Sequence, residues 1–426
     1  MNVAQFISEF ASRMPEVFLR PRPLAESEAG DAIVQYDFED STGSVQVVDG
    51  DKAKQFAGFT GLLSTDNEDA YTQSIRPLLS STLAGHTACC FAYGHTNSGK
   101  THTIFGYAAA GAVGFYQRTI EDLFAEMTPG LLMQVRFFEV YNGKVYDLLN
   151  NREAGHVREG SDGVIHVRSE TTMGPNGEVK TQSLRAKYGS SAQEMLDIIR
   201  QSMGFRAEGT SELHSQSSRS HAVLELEIVT PELAQARDDV VEAQAKVVPI
   251  GKARDDLYIA IQSKMYVVGD NGKYQLSDEP APLEMKARFK ELETEFRAAE
   301  TVVDAAQQRV AAAKAGSVGG MMVFVDLAGA EYTGQGLTRN AKAQKEAREI
   351  NSSLLALKEC IRRQKDKGHV PFRNSKLTML LKAYLEAEAG TVTVMVANVS
   401  SAEANRRKAL DTIKYAALVA DAFQDK

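Results

Sequence analysis

A glycine-rich stretch with the sequence GHTNSGKT, residues 94–101, has the residue types and spacing of a phosphate-binding loop. The pattern requires two glycines separated by four residues, followed at once by lysine and by serine or threonine. Glycines allow backbone N–H groups to turn toward phosphate oxygens, and the lysine compensates the charge of the β- and γ-phosphates. The hydroxyl after the lysine is a ligand for Mg²⁺. The stretch therefore predicts a site for a nucleoside triphosphate and magnesium.

The segments on either side of this stretch are those that the motif needs. Ala88–Tyr93 is short, apolar and aromatic, as expected of a buried strand. The residues after Lys100 suit a helix, whose N-terminus would point its free N–H groups at the phosphates. This order favours a nucleotide site over a chance match in a glycine-containing turn. Further strands, with helices between them, are predicted at Val17–Arg20, Ile33–Phe38, Val45–Val48, Met133–Tyr141, Ala222–Ile228, Met322–Val325 and Thr391–Val399.

Three further stretches place polar side chains next to apolar segments. Residues 217–221, SSRSH, precede a strand-like run, and residues 326–331, DLAGAE, follow another. Residues 351–357, NSSLLAL, begin a helical repeat with its apolar side chains on one face. Asp326 ends its strand at the edge predicted for the nucleotide, where acidic residues of phosphate-loop enzymes hold Mg²⁺.

With these motifs in this order, the chain resembles the kinesin motor domain. SSRSH is similar to the first nucleotide-sensing loop of that family, switch I, and DLAGAE is similar to the second, switch II. Matches also occur in the phosphate loop through His102-Thr103, in RPRP at 20–23, in FFEVYN at 137–142, in VPFR at 370–373 and in SKLT at 375–378. The resemblance extends over about residues 15–422 except for one insertion, and it is nearest to the microtubule-depolymerising branch.

The resemblance implies an ATPase whose switch loops respond to the γ-phosphate. Arg219 and Glu331 would form an ion pair that closes over ATP, although ordinary surface charges are the alternative for this pair. Gly329 lacks a Cβ, so its N–H can approach the γ-phosphate. The catalytic residues implied are Lys100, Ser217, Ser218, Arg219, Gly329 and Glu331, and the metal ligands implied are Thr101, Ser218 and Asp326.

The resemblance also implies contacts to the base. Arg20, Pro23 and His102 would flank the adenine, with stacking as the physical basis, although a plain exposed histidine is the alternative for His102. ATP rather than GTP rests on the family, because the sequence has no motif for base-specific hydrogen bonds. The nucleotide-binding residues implied are Arg20, Arg22, Pro23, Gly94, His95, Thr96, Asn97, Ser98, Gly99, Lys100, Thr101 and His102.

Microtubules are acidic, so the resemblance implies a locally basic face on a chain whose net charge is −8. Basic residues cluster along a helix predicted from about Arg339 to Lys365 and beyond it. This helix would move when switch II changes state and so couple nucleotide to filament. A solvated charged helix face is the alternative. The microtubule-binding residues implied are Arg339, Lys342, Lys345, Arg362, Arg363, Arg373 and Lys376.

Composition argues against several other classes of protein. The three cysteines, Cys89, Cys90 and Cys360, show neither metal-ligand spacing nor a disulfide framework, which is typical of a reducing compartment. No apolar stretch approaches the ~20 residues of a membrane span, and the acidic net charge gives no general signal for nucleic acid or membrane binding. A cytoplasmic protein associated with the microtubule cytoskeleton is expected.

An insertion separates the strands next to the two switches, where a kinesin has a short loop. Thr230-Pro231-Glu232 is a typical helix start, and apolar side chains recur on one face up to Pro249. A second helical arm, with a heptad pattern, extends from Met285 to Ala313, and residues 265–276 between the arms predict a β-hairpin. We expect an antiparallel coiled-coil hairpin that contacts a protein partner or a second copy of the chain; an inert insertion is the alternative.

Together these elements predict an α/β protein, a three-layer phosphate-loop NTPase of the kinesin type, with a central mixed sheet of about eight strands. The motor domain would comprise residues 1–230 and 316–426, and the inserted hairpin residues 231–315. The expected function is a microtubule-stimulated ATPase that couples nucleotide state to filament binding. The alternative is a weakly active or non-motile relative that acts as a scaffold or anchor through its insertion, favoured by His214 in switch I and by Met379.

Overall fold

The computed structural model describes residues 16–49, 52–107, 111–159, 165–169, 172–173, 179–180, 186–207, 216–268, 274–276, 282–315, 319–330, 341–366, 368–386 and 391–424. Contacts within the chain divide it into two units. Unit 1 comprises residues 1–167, 184–229 and 318–426, and unit 2 comprises residues 168–183 and 230–317. Unit 2 thus combines the predicted insertion with a stretch that the sequence did not set apart.

The strands of the described residues are β1 (Glu16–Arg22), β2 (Tyr36–Glu39), β3 (Ser44–Asp49), β4 (Lys52–Phe56), β5 (Gly61–Leu62), β6 (Thr87–Tyr93), β7 (Gly106–Tyr107), β8 (Ala112–Val113), β9 (Leu132–Tyr141), β10 (Lys144–Asp147), β11 (Glu153–Glu159), β12 (Ile165–Ser169), β13 (Thr172–Met173), β14 (Val179–Lys180), β15 (Lys187–Gly189), β16 (His221–Val229), β17 (Tyr266–Val268), β18 (Tyr274–Leu276), β19 (Met321–Asp326) and β20 (Val392–Ser400).

The helices are α1 (Asn67–Ser74), α2 (Leu79–Leu83), α3 (Lys100–Phe105), α4 (Phe115–Glu126), α5 (Ala192–Ala207), α6 (Pro231–Met265), α7 (Leu283–Ala315), α8 (Ala341–Lys365), α9 (Lys376–Leu385) and α10 (Arg406–Gln424). Short 3₁₀ turns lie at Glu26–Glu28, Arg76–Leu78, Gln216–Arg219, Phe372–Asn374 and Glu403–Asn405. Within the described parts of the chain, no helix combines the length and the apolar character needed to cross a bilayer.

Unit 1 is built around one mixed sheet with the strand order β12-β11-β10-β9-β16-β19-β6-β20-β1-β5, and β15 also pairs with β9. Strands β19, β6, β20, β1 and β5 run parallel, whereas β11, β10, β9, β16 and β19 alternate in direction. The described sheet has eleven strands. The sequence predicted about eight, because short edge strands such as β5 and β15 contain too few residues to show a pattern. The predicted fold class is confirmed.

Helices cover both faces of this sheet and form the predicted three layers. Cys89 and Phe91 of β6 pack with side chains of α8, α9 and α10 on one face. Ala88 and Cys90 pack with side chains of α1 to α5 on the other. Successive side chains of a strand point to opposite faces. Both faces of β6 are therefore buried, which is why its sequence is a continuous apolar run.

The phosphate loop begins where β6 ends, and the topology gathers the other motifs at the same edge. Asp326 at the end of β19 lies in register with Ala92 of β6, and Ala397 of β20 with Tyr93. Strand β16 is antiparallel and therefore begins at this edge, with Ala222 opposite Asp326. Ligands of open α/β sheets bind outside the carboxyl ends of parallel strands. The edge is thus the place where a nucleotide site is expected.

The strand predicted at Ile33–Phe38 is only partly present. Ile33 forms a single bridge to Ala402, and β2 begins at Tyr36. The tyrosine is buried, and its hydroxyl donates to the carbonyl oxygen of Ser400 at 2.6 Å. Ile33 itself is exposed, so its β-branched side chain predicted a strand that tertiary packing does not support.

Unit 2 contains two long helices that lie antiparallel. Asp239 near the start of α6 pairs with Arg309 near the end of α7 at 3.0 Å. Farther along α6, the Arg254 guanidinium lies 4.0 Å from the ring centre of Phe296. Strands β17 and β18, between the helices, pair antiparallel. The chain direction thus reverses between α6 and α7; the coiled-coil heptad itself stays a prediction.

Helix α6 begins where the sequence predicted. The Thr230 hydroxyl accepts the N–H of Leu233 at 3.1 Å, and Pro231 occupies the first turn. The apolar periodicity noted up to Pro249 does not mark the end of the helix, which continues to Met265. A Cβ on Gly251 would lie 2.9 Å from the Phe296 ring, so a larger residue there would require the ring to shift.

Residues 231–315 are expected to be dispensable for the folding of unit 1. Strands β16 and β19 are adjacent, and the N–H of Ile228 donates to the carbonyl oxygen of Gly320 at 3.0 Å, so a short Gly/Ser linker can join them. The deletion protein should bind nucleotide, and its free energy of unfolding should lie within about 1 kcal/mol of the full chain, because loop length contributes little. Urea denaturation followed by circular dichroism measures this. An insoluble deletion protein would contradict the prediction.

Candidate nucleotide site

The phosphate loop turns tightly from β6 into α3. A Cβ on Gly94 would lie 2.3 Å from the carbonyl oxygen of Asn398 and 2.4 Å from Ser98 Oγ, which excludes other residues. Asn97 and Gly99 have left-handed φ angles of 63° and 99°. Left-handed residues of this kind occur in the backbone nests that bind anions. The loop therefore has the local geometry that its sequence predicts.

Lys100 is the first residue of α3, and its side chain is buried. Its ammonium donates to the carbonyl oxygens of His95 at 2.8 Å and Gly94 at 3.1 Å. The cation is thereby held against the loop where phosphate charge needs compensation. The neighbouring Thr96 Oγ and Ser98 Oγ are buried and have no hydrogen-bond partner among the described residues. Buried polar atoms of this kind are normally satisfied by a ligand or by water.

His95 contributes a neutral ring to the loop. It is 1% exposed, and neither ring nitrogen has a hydrogen-bond partner within the described parts of the chain. Burial lowers the pKa of His95 to about 3, with a smaller contribution from the charge of Lys100. The loop therefore carries one buried cation, the lysine, and the histidine adds no second charge near neutral pH.

Asp326 is fully buried and is contacted from two sides. The Thr101 hydroxyl donates to Asp326 Oδ2 at 2.8 Å, and Arg206 Nη1 donates to the same oxygen at 3.0 Å. The other oxygen, Oδ1, has no hydrogen-bond partner among the residues that the structure describes. An unpaired buried acceptor costs free energy. This oxygen therefore marks a polar lining that a ligand can satisfy.

The same residues fit a magnesium ion that arrives with a nucleotide. Mg²⁺ binds hard oxygen ligands and completes its shell with phosphate oxygens and water. Thr101 and Asp326 supply a hydroxyl and a carboxylate next to the phosphate loop. No group of three or more His, Cys, Asp or Glu side chains suited to a metal occurs among the described residues. The role of Ser218 as a third ligand stays a prediction.

Arg206 and Asn398 belong to this site, although the sequence did not single them out. Arg206 ends α5, is 3% exposed, and forms a buried ion pair with Asp326. Asn398, near the end of β20, donates to Thr103 Oγ at 2.8 Å and so fixes the start of α3. Neither residue lies in a recognisable motif. Only the packing of α5 and the order of the strands bring them to the phosphate loop.

Switch I and switch II are joined through their backbones. The N–H of Gly329 donates to the carbonyl oxygen of Ser218 at 3.0 Å. A Cβ on Gly329 would lie 2.6 Å from the Cα and N atoms of Thr96, so the glycine lets switch II lie directly against the phosphate loop. Ala330 also forms a parallel bridge with His95. These contacts put both switches beside the predicted phosphate position.

The predicted ion pair between Arg219 and Glu331 cannot be assessed, because Glu331 lies outside the described residues. Arg219 instead pairs with Glu346 of α8 at 3.3 Å. The Tyr141 hydroxyl donates to the other oxygen of Glu346 at 2.5 Å. Glu346 is buried, whereas the Arg219 side chain is 41% exposed. Switch I is thus tied to the helix that the sequence assigns to filament binding. The side chain of Ser217 also lies outside the described part.

The RPRP stretch, at the end of β1, makes hydrogen bonds next to the phosphate loop. The Arg20 guanidinium donates to the carbonyl oxygens of Ser64 and Thr65, and to Thr103 Oγ at 2.8 Å. Burial lowers the pKa of Arg20 to about 10. His102 is half-buried, and its ring centre lies 5.7 Å from that of Tyr107. Contacts of these residues and of Pro23 with adenine stay predictions.

Arg22 connects the phosphate loop to the 3₁₀ turn at Glu26–Glu28. Its Nε donates to the carbonyl oxygen of Asn97 at 2.6 Å, and its Nη atoms donate to the two oxygens of Glu28 at 2.6 and 2.7 Å. The hydrogen bond from Arg22 lowers the pKa of Glu28 to about 2. Bidentate pairs of this geometry are stronger than ordinary ion pairs. Glu28 therefore holds Arg22 against the left-handed residue of the loop.

Most residues predicted to meet the filament are exposed. The side chains of Arg362 and Arg363 lie on α8, and Arg373 and Lys376 lie close to the start of α9. Arg363 pairs with Glu359 at 3.0 Å and Arg373 with Glu159 at 2.6 Å. Lys345, Arg362, Arg363, Arg373 and Lys376 are exposed, whereas Arg339 and the side chain of Lys342 lie outside the described part of the chain.

The family model of the kinesin motor domain matches residues 20–250 and 300–421. This chain belongs to the kinesin motor domain family. The family predicted from the sequence is confirmed, and the gap in the match, residues 251–299, lies within unit 2.

Curated kinesins match with low identity over most of the chain. The kinesin-like protein KIF24 of Mus musculus is 26% identical over 356 residues, which are 82% of this chain and 19% of that protein. KIF24 of Homo sapiens is 27% identical over the same shares. The kinesin-like protein KIN-13B of Arabidopsis thaliana is 27% identical over 82% of this chain and 37% of its own length. The chain thus spans less than two-fifths of each of these relatives.

Solved kinesin structures have the same fold. The KIF14 dimer in its two-heads-bound state, with AMP-PNP and a microtubule, aligns with a TM-score of 0.63 and 21% identity over 97% of this chain and 94% of its own. A fast kinesin aligns with a TM-score of 0.63 and 21% identity, over 96% of this chain and 91% of its own. These alignments support the motor-domain fold.

Glu28→Gln is expected to lower the free energy of unfolding by about 1–2 kcal/mol near neutral pH, because the depressed pKa reports a favourable contact of the ionised carboxylate that solvent partly screens. This contribution is present above the ordinary pKa of 4.5 and is lost as the pH falls toward about 2. The difference between wild type and variant, from urea denaturation at several pH values, should therefore shrink below about pH 4.5.

The matched control is Glu26→Gln, which changes an exposed carboxylate in the same 3₁₀ turn. It should alter stability little at any pH, because an exposed carboxylate without a bidentate partner contributes little. A difference for Glu28→Gln that does not depend on pH would contradict the role assigned to the Arg22–Glu28 pair.

Proposed function

We propose that this chain is an ATP-hydrolysing motor domain that binds microtubules and couples its nucleotide state to filament binding. The observation that carries the proposal is the meeting of the phosphate loop, Asp326 and both switches at one edge of the sheet. Membership of the kinesin motor domain family supports it. The related KIF14 structure contains AMP-PNP and a microtubule, which supports the same two ligand classes here.

Nucleotide binding would use groups that the fold already holds in place. The phosphate loop supplies N–H groups, and the buried Lys100 ammonium compensates the charge of the β- and γ-phosphates. When bound, Mg²⁺, held by Thr101 and Asp326, neutralises charge on the phosphate oxygens. Arg206 donates to the same oxygen of Asp326 as Thr101 and helps to orient the carboxylate. Catalysis would rest on positioning and charge compensation.

Hydrolysis would require the switches to exchange partners. The N–H of Gly329 now donates to Ser218, so it must leave that carbonyl oxygen before it can donate to a γ-phosphate. Arg219 now pairs with Glu346 through one N–H group and would have to offer another to Glu331, or exchange one carboxylate for the other. Both exchanges follow from the predicted roles of these residues. Binding of ATP would thus be linked to movement of switch I relative to α8.

Filament binding would be the other side of this linkage. Helix α8 holds Glu346 on one side and presents Arg362 and Arg363 to solvent. Leu355, an apolar residue of α8 between Glu346 and Arg362 in the sequence, is 64% exposed. A rigid helix that contacts both a switch and the filament can transmit a change of state. Binding of filament and nucleotide must then influence one another reciprocally.

A weakly active kinesin that anchors to microtubules is the second candidate function. His214 of switch I, which favours this candidate, lies outside the described residues. Steady-state phosphate release, with and without microtubules, distinguishes the two functions. A motor should show a clear increase in kcat with filaments, whereas binding to filaments without an increase would favour the anchor.

Lys100→Ala should reduce ATP hydrolysis by about 100-fold or more, because the phosphate charge loses its buried cation in the transition state. Phosphate release at saturating ATP measures the effect. Lys414→Ala is the matched control, since this lysine of α10 is 60% exposed and pairs only weakly with Asp411 at 3.4 Å. The control should retain wild-type turnover. Equal turnover of both variants would refute the nucleotide site.

Reversal of charge at Arg362, Arg363 and Lys376 to glutamate should weaken microtubule affinity by about tenfold or more and flatten its dependence on salt. Cosedimentation over a salt series measures both quantities. The control reverses Arg76 and Arg200, which are exposed on the opposite helical layer of unit 1. Equal affinities of the reversed protein and wild type would rule out the proposed face.

A further inference from the structure

His221, the first residue of β16, lies buried between switch II and helix α8. Its Nδ1 accepts the backbone N–H of Ala328 at 3.0 Å. Its Nε2 lies 2.9 Å from the hydroxyl oxygen of Ser353, a residue of α8. The ring is 3% exposed, and Ser353 is also buried. One imidazole therefore joins the strand of switch I, the backbone of switch II and the helix assigned to the filament.

The direction of each hydrogen bond in this contact is fixed. Nδ1 faces an N–H group, so it must be the acceptor, and the ring proton is then on Nε2. Nε2–H donates to the Ser353 hydroxyl, which in turn donates to the carbonyl oxygen of Ile350 at 2.8 Å. Burial lowers the pKa of His221 to about 3, with contributions from Arg206 and Lys100. The neutral ring that this chain of bonds needs is thus the stable form.

Ala328 immediately precedes Gly329, the switch residue that lies against Thr96 and bonds to Ser218. A shift of Gly329 toward a γ-phosphate therefore moves the N–H of Ala328 as well. This N–H is buried, so its bond to His221 must either move with switch II or be lost without replacement by water. If the bond moves with switch II, His221 moves too, and its contact with Ser353 then displaces α8.

We propose that His221 is a positioning residue that couples the position of switch II to that of helix α8. The inference rests on the proposed function, in which switch II responds to ATP and α8 meets the filament. The exposed pair between Arg219 and Glu346 also joins a switch to α8, but water can replace it. The buried bonds of His221 cannot be replaced in that way, so they carry the stiffer connection.

Two substitutions each keep one half of the contact. His221→Asn places an amide oxygen close to the position of Nδ1 and keeps an acceptor for Ala328, but it is too short to reach Ser353. His221→Gln reaches toward Ser353 but gives up the acceptor at Nδ1. Ser353→Ala removes the partner on α8, and Ser353→Thr retains a hydroxyl. Gln364→Met is the matched control, because it removes a buried hydrogen bond from α8 to Leu385 without touching switch II.

Hydrogen exchange of the α8 backbone amides gives a readout that needs no filament. Protection should change between ADP and a non-hydrolysable ATP analogue in wild type, in Ser353→Thr and in Gln364→Met. In His221→Asn, His221→Gln and Ser353→Ala this nucleotide-dependent change should be lost. An identical response in His221→Asn and wild type would overturn the proposal. An absence of any nucleotide response in wild-type α8 would overturn it as well.

Microtubule affinity in the two nucleotide states gives the second readout. The ratio of the two Kd values should fall by about fivefold to tenfold in His221→Asn, within the range of single coupling contacts. A combined His221→Asn and Ser353→Ala variant should lose no more than either change alone, because both break one connection. If the fold-reductions of the Kd ratio in the two single variants multiplied in the combined variant, His221 and Ser353 would not act through one connection. Equal Kd values in both states of wild type would refute the proposed motor function, while hydrogen exchange still tests His221.

Discussion

A carboxylate with no exposed surface needs hydrogen-bond donors or a ligand in place of water, and Asp326 at the end of β19 imposes this requirement on the nucleotide edge. Thr101 supplies one donor and thereby fixes the first turn of α3, while Arg206 supplies the second and fixes the end of α5. Removal of one partner of such a buried pair costs about 3–5 kcal/mol. The helix that follows the phosphate loop and the helix before switch I are therefore placed by one side chain. The remaining oxygen is left for a ligand.

The backbone contact between the two switches competes with a contact that hydrolysis would need. The N–H of Gly329 has one proton and presently donates it to Ser218, and the guanidinium of Arg219 presently meets Glu346. A γ-phosphate competes for the first group. Since His221 binds the residue next to Gly329, the competition extends to α8 through buried bonds. Such a set of exchanging hydrogen bonds has discrete arrangements, which is the property that a nucleotide-dependent switch requires.

The two long helices of unit 2 pack against each other. Phe296 of α7 fits against Gly251 and under Arg254, and Arg309 pairs with Asp239, so the two helices stabilise each other along their length. An element of this kind can be inserted between β16 and β19 without a change in the sheet, because those strands are already neighbours. Exposed apolar side chains remain on it, including Ile259 at 64% and Leu283 at 83%.

The sequence by itself determined the phosphate loop, the order of the switch motifs, the α/β class and the start of α6, because each depends on local spacing or on one cap. It predicted no role for Arg206 or Asn398, and it did not predict that α6 passes Pro249. These features depend on groups that are distant along the chain: Arg206 meets Asp326 only after α5 packs on the sheet, and α6 continues past Pro249 in a region where Phe296 of α7 lies beside Gly251. Local propensity is read from neighbours in sequence, whereas buried charge and packing are decided by neighbours in space.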